Sequence, residues 1–190
     1  MKCLLCESWS LSRICRSCRE EHLAPSLHTR KIVGKLSVHS FYRYDEIEPL
    51  LLTKHTDIGY HLYKIMASAS FATYAASLES EEPVAVIAVD DHVRHGYSHT
   101  AILARAMKTD TLIPRHAVLR DRSGHRYSGQ DFQYRLTHPR AFELKPFPEK
   151  SVILVDDILT TGLTLTQAVE TLEMAGKEVL FCLTLADAER

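Results

Sequence analysis

Asp156 and Asp157 are the residues with the clearest chemistry, because they end an apolar run, Val152-Ile-Leu-Val155, and lead into a short small-residue stretch. A continuous apolar run of this kind reads as a strand buried on both faces, as in a parallel sheet. In open α/β sheets, ligands bind just beyond the carboxyl ends of strands. A helix is predicted to begin at about Thr164, so the backbone N–H groups of Thr160, Thr161, Gly162, Leu163 and Thr164 face the positive end of its dipole. With three Thr hydroxyls and a Gly that permits close approach, this loop suits a phosphate group. The paired carboxylates beside it suit the adjacent hydroxyls of a sugar, and together they describe a ribose 5-phosphate site. An ATPase strand also ends in acids, but it requires an upstream GxxxxGK[ST] loop, and none of the seven glycines opens or closes one. An acid pair that serves only the fold is the remaining alternative.

The second constellation is Cys3-Leu-Leu-Cys6 followed by Cys15-Arg-Ser-Cys18. Each CxxC pair offers two thiolates to one tetrahedral ion, so Cys3, Cys6, Cys15 and Cys18 are assigned to a structural Zn²⁺. Lys2, Arg13, Arg16 and Arg19 favour the thiolate form. Two disulfides are the alternative, which a reducing compartment disfavours. His22 is a substitute ligand that four cysteines make unnecessary, and Cys182 sits in a strand pattern as a core thiol.

The surrounding elements must position these residues. Residues 19–35 read as a linker with Pro25, and Leu36 to Tyr44 as an edge strand or hairpin. Asp45 to Thr53 is predicted as a short helix with Pro49 in its first turn. A longer helix spans Asp57 to Ser80, with Asp57 as its cap. Val84 to Val89 is a second buried strand, ending in Asp90-Asp91-His92-Val93-Arg94-His95-Gly96-Tyr97, with a helix over Ser98 to Met107. That places a second ligand-facing loop beside the first. Leu112 to Leu119 reads as a strand interrupted at Pro114, residues 120–139 as a long functional loop, and Phe142 to Leu144 as a return to the sheet. The helix from Thr164 ends at Gly176, and Glu178 to Leu185 closes the domain. Alternating strands and helices predict an α/β fold with a parallel sheet flanked by helices.

The chain of 190 residues has the length of one α/β domain plus a small appendage, and its 45% apolar and 25% charged residues are ordinary for a globular protein. No apolar run approaches a membrane span and the N-terminus lacks the apolar core of a signal peptide, so a cytoplasmic location is expected. The net charge of −1 conceals alternating blocks, with a basic block over 92–145 that holds ten Lys+Arg against four Asp+Glu. Tyr97, Tyr127, Phe132, Tyr134 and Phe142 are interleaved with those cations. Cations that track a backbone, with aromatics for stacking, are the composition of a single-stranded nucleic-acid surface. Arg16, Arg94, Arg120, Arg122 and Arg126 are the candidate contacts, and Arg120, Arg122 and Arg126 also suit a lid that excludes water.

Val152 to Thr164 resembles the signature by which type I phosphoribosyltransferases bind phosphoribosyl pyrophosphate (PRPP) with Mg²⁺. Carried over, the resemblance implies that Asp156 and Asp157 hold the ribose hydroxyls and that Thr160, Thr161, Gly162, Leu163 and Thr164 hold the 5-phosphate. The four cysteines ahead of such a domain narrow it further: nearly the whole chain resembles ComF-type proteins of bacterial DNA uptake. Here His95 stands for an Arg of that family, and Ser98-His99 for Asn-Gln. Arg94 is the candidate for pyrophosphate, and with the two acids it makes up the expected catalytic set. The resulting division is a zinc finger and linker over 1–35 and a phosphoribosyltransferase-like domain over 36–190. The leading functional expectation is a cytoplasmic DNA-uptake factor that binds PRPP and single-stranded DNA and works with cytoplasmic or membrane-associated uptake proteins without itself crossing the membrane. A nucleobase phosphoribosyltransferase of salvage is the alternative, and a PRPP-sensing regulator without catalysis is the third.

Overall fold

The computed structural model describes residues 1–32, 36–89, 93, 96–122 and 140–189. Arg94, Arg126, Tyr127, Phe132 and Tyr134 lie outside the described residues, with most of the second loop and of the 120–139 stretch.

Along the chain run α1 (Arg16–His22), β1 (His28–Ile32), β2 (Leu36–Arg43), α2 (Tyr44–Leu51), α3 (Asp57–Ala67), a π-helical segment (Ser68–Ala72) and α4 (Thr73–Ala76). They are followed by β3 (Val84–Ala88), α5 (His99–Ala106), β4 (Leu112–Arg115), β5 (Leu119–Asp121), β6 (Phe142–Leu144), β7 (Ser151–Leu159), α6 (Leu163–Met174) and β8 (Glu178–Asp187). Six strands form one sheet in the order β1-β2-β8-β7-β3-β4. All neighbours in it are parallel except β1, which pairs antiparallel with β2.

The apolar runs of the central strands split by alternation onto two faces. Val84, Val86, Ala88, Ile153 and Val155 pack with Leu62, Met66 and Leu103 of α3 and α5. Ala85, Ile87, Val152 and Leu154 pack on the other face with Leu165, Ala168, Val169 and Leu172 of α6. Those four α6 positions follow the i, i+3, i+4, i+7 stripe of an amphipathic helix. The helix stops because Gly176, at φ 73°, takes the left-handed conformation. Gly176 N–H then donates to Glu173 O and Lys177 N–H to Leu172 O, closing the last turn as the sequence predicted.

Several local expectations change. The stretch read as a linker carries β1, so the sheet edge on this side is β1 and not Leu36–Tyr44. Helix α2 starts at Tyr44, which leaves Pro49 in its second turn. Thr56, not Asp57, caps α3, its hydroxyl accepting from Gly59 N–H at 3.1 Å. Pro114 is tolerated inside β4 because β4 is an edge strand and its missing N–H faces no partner. Phe142 to Leu144 does not rejoin the main sheet but pairs antiparallel with β5.

The cysteine-bearing segment is built into the same core: Cys3, Ile14, Cys18 and Leu23 are buried in the cluster that holds Phe41 and Tyr42. Tyr42 hydroxyl donates to Leu23 O at 2.9 Å and Ser26 N–H to Phe41 O. Among the described residues no helix is long and apolar enough to cross a membrane.

Candidate functional site

Strand β7 outruns its neighbour on one side. The β3 pairing ends at Ala88 opposite Val155, with Val89 N–H donating to Val155 O. Among the described residues, β7 from Asp156 onward pairs only with β8, Asp156 opposite Thr184 and Leu159 opposite Asp187. The acid pair therefore sits at the lip where the sheet opens, inside a strand that runs four residues past the end of the apolar run.

Alternation sends the two side chains to opposite faces, Asp157 to that of Val155 and Asp156 to that of Leu154. On the first face Asp157 Oδ2 receives Lys54 Nζ at 2.8 Å and His99 Nε2 at 3.2 Å. The His99 contact requires the proton on Nε2. Burial works against the charge of Asp157, but donation from His99 and the charge of Lys54 outweigh it and hold the carboxyl well below the usual range. Asp156 is different. Burial first, and the Asp157 charge second, push its carboxyl up to about 8, although Asp157 N–H donates to Asp156 Oδ1 at 2.8 Å. One acid is thus a committed anion and the other a carboxyl poised to gain or lose a proton, the asymmetry expected of like charges sharing a site.

Lys54 is held in place from behind. Tyr97 hydroxyl donates to Lys54 O at 2.5 Å and lies 3.2 Å from Thr56 O. Gly59 makes this packing possible, since a Cβ there would sit 2.0 Å from Thr53 O and 2.7 Å from Tyr97 Oη. Tyr63, fully buried on α3, crosses the His99 ring edge-on with centroids 5.6 Å apart. Its buried hydroxyl has no partner among the described residues.

The loop Thr160–Gly162 turns from β7 into α6, with Thr160 and Thr161 exposed. Gly162 takes the N-cap position at φ 78°, a backbone shape that favours glycine. The helix starts at Leu163, one residue before its predicted start. First-turn N–H groups of a helix have no intrahelical acceptor; Leu163 N–H donates to Thr161 Oγ1 at 3.4 Å, and Thr164 N–H lies beside the positive end of a twelve-residue dipole. Thr166 hydroxyl caps Gly162 O at 3.0 Å and steadies the turn. Chain from outside this loop also supports it. Arg30 on β1 donates to Thr160 O, and Ile32 packs so close to Gly162 that a Cβ there would approach Ile32 Cγ2 to 2.7 Å.

The four Cys sulfurs lie within 4.8 Å of one another, and Cys6 and Cys15 Sγ are 3.7 Å apart. Thiolates on a tetrahedral zinc at about 2.3 Å are separated by roughly 3.8 Å, so the cluster fits such an ion. All five cysteines are free, which sets the disulfide alternative aside. Amide donation around Cys6 and Cys15 lowers the Cys3 thiol to about 6, whereas burial raises that of Cys18.

The remaining candidates scatter. Arg16 pairs with Glu20 on α1 and borders a cleft shared with Arg19, Lys64, Ile65 and Ser68. Arg120 and Arg122 lie on or beside β5, and Arg122 pairs with Glu143. Tyr97 and Phe142, expected among the stacking aromatics, are engaged in the structure: Tyr97 anchors Lys54, and Phe142 packs against the α6-side core under the Arg140 guanidinium. Sequence reasoning passed over Lys54 and Arg30 and noted His99 only as a departure from a family pattern. Nothing in their local sequence announces a contact made more than forty residues away.

The phosphoribosyl transferase domain family matches residues 62–190. Comparison with curated proteins gives no match. Similar solved structures include a hypoxanthine phosphoribosyltransferase from Staphylococcus aureus, at 18% identity and TM-score 0.44, covering 66% of this chain and 62% of that one. An adenine phosphoribosyltransferase from Saccharomyces cerevisiae has 18% identity and TM-score 0.45, covering 90% and 89%. An orotate phosphoribosyltransferase from Aeropyrum pernix has 19% identity and TM-score 0.39, covering 90% and 80%. The chain spans less than two thirds of the Staphylococcus aureus enzyme. The domain match takes in β3, α5, β7, the acid pair, the phosphate-suited loop and α6, and the chain belongs to the phosphoribosyl transferase domain family.

Proposed function

We propose that this protein binds PRPP at the lip of β7 and acts as a cytoplasmic DNA-uptake factor that also binds single-stranded DNA. The observation that carries the PRPP reading is the acid pair on the end of β7 that runs past its pairing with β3, just ahead of a helix that opens on Gly162. Asp156 and Asp157 take the ribose hydroxyls, and the loop from Thr160 to Thr164 takes the 5-phosphate through backbone N–H and Thr hydroxyl donors. Asp157, fixed by Lys54 and His99, is the ready acceptor for one hydroxyl. Asp156, close to its own titration point, serves as acceptor or donor for the other. Arg94 is assigned to the pyrophosphate. Mg²⁺, arriving with the diphosphate, supplies charge neutralisation to the leaving group. If transfer occurs, the bond from the anomeric carbon to pyrophosphate breaks, an acceptor nitrogen bonds to that carbon and gives up its proton, and pyrophosphate leaves. The four-cysteine cluster holds a structural Zn²⁺.

The DNA reading draws support from the basic block of the sequence, from Arg16 on α1 beside the Arg19 and Lys64 cleft, and from the resemblance to ComF-type proteins. Its test is the fluorescence anisotropy of a labelled single-stranded oligonucleotide, at about 50 mM and about 200 mM salt, with and without PRPP–Mg²⁺. Salt-sensitive binding that PRPP modulates supports the uptake role. Absence of binding in zinc-loaded protein removes it and leaves nucleobase salvage, which assays on single bases would decide.

A further inference from the structure

Arg30 lies ahead of the matched domain, on the outermost strand of the sheet, yet its side chain ends at the phosphate-suited loop. Its guanidinium donates to Thr160 O and pairs with Asp187 Oδ1 at 3.2 Å and Glu189 Oε1 at 3.6 Å. Asp187 stands opposite Leu159 at the end of β8, and Ala188 N–H donates to Leu159 O. Arg30 therefore ties the closing end of β8 to the first residue of the loop. Among the described residues its buried Nε has no partner.

We infer that Arg30 is a positioning residue for the phosphate loop, supplied in cis by the strand that follows the cysteine module. The inference rests on the PRPP reading. In a trans peptide the C=O and the following N–H point in opposite directions, and the described chain has no cis peptide. Holding Thr160 O toward β1 thus aims Thr161 N–H away from β1, so that Arg30 sets the direction of a donor in the phosphate-suited loop. Ile32 presses on Gly162 from the same strand, so β1 holds the loop at two points, Thr160 and Gly162, before any ligand arrives. Preorganised donors of this kind lower the cost of binding an anion without touching it.

The test is titration of ribose 5-phosphate and of PRPP–Mg²⁺ onto the full zinc-loaded chain, as wild type, Arg30→Lys and Arg30→Met. The denaturation midpoint and the Thr161 amide resonance of each are followed as well. Arg30→Lys keeps the charge beside Asp187 and loses the fork that reaches Thr160 O. It is expected to weaken both ligands about tenfold and to shift the Thr161 amide in the free protein, with an unchanged midpoint. Arg30→Met is expected to lose at least as much. Unchanged affinity in Arg30→Lys overturns the inference even if Arg30→Met fails to fold, and so does an affinity loss that only follows a fall in the midpoint. If wild type binds neither ligand, the PRPP reading fails first and this inference with it.

Discussion

Asp156→Asn should make the free protein more stable at neutral and alkaline pH, at the expense of its ligand site. Asp156 titrates in the folded state at about 8, against an ordinary 3.8. A carboxyl whose folded value is raised binds a proton in the native state that the unfolded chain has already released. Stability therefore falls as pH rises from about 4 to about 8 and is flat outside that window. Each unit inside the window removes at most about 1.4 kcal/mol. Over the whole window the loss is on the order of 6 kcal/mol as an upper bound. Asn reproduces the protonated carboxyl, keeps an oxygen to accept from Asp157 N–H, and carries no charge against Asp157. Urea unfolding of both proteins across the window, without ligand, should give curves that meet near about pH 4 and separate progressively up to about pH 8, Asn the more stable. A difference that does not change with pH, or an Asn variant less stable than wild type at alkaline pH, would refute the reasoning.

Lys54→Met removes one of the two donors to Asp157 Oδ2 and should cost about 2 kcal/mol at neutral pH. Because the folded value of Asp157 is depressed, that stabilisation exists above the ordinary carboxylate range and fades as pH drops below it, so the wild-type advantage in melting temperature should shrink in acid. Gly59→Ala forces a Cβ against Thr53 O and the Tyr97 hydroxyl and should cost about 2–3 kcal/mol in denaturant unfolding, with Lys54 displaced from Asp157 in a crystal structure of the variant. Metal analysis should find one zinc per chain, and Cys6→Ser should lower the occupancy. Chelation should expose Ile14 and Leu23, read as loss of amide protection over α1 while β3 and β7 stay protected.

The parts of this fold that showed in the sequence are those whose signal is local. Val84–Val89 and Val152–Val155 stand out as apolar runs because each is buried on both faces, and Asp-Asp followed by Thr-Thr-Gly marks a loop whatever surrounds it. Strand β1 did not show. His28-Thr-Arg-Lys-Ile32 is polar, and only its pairing with β2 makes it a strand. Lys54 was invisible for a related reason: it follows α2 in an ordinary-looking turn, and its importance comes from Asp157, which the sheet brings to it across 103 residues. His99 could be located at the start of α5 but not aimed, since its direction depends on how α5 packs against α3 and β7. The acid pair was legible as a pair, whereas the split into one anion and one poised carboxyl arises from neighbours on opposite faces of the sheet.

The most direct test of the account is calorimetric titration of PRPP–Mg²⁺ onto the zinc-loaded chain, compared with a variant carrying Asp156→Asn and Asp157→Asn. The account predicts one site per wild-type chain and at least about a hundredfold weaker binding in the double variant, as two hydroxyl acceptors are removed. No binding by wild type, or equal binding by both proteins, would contradict it.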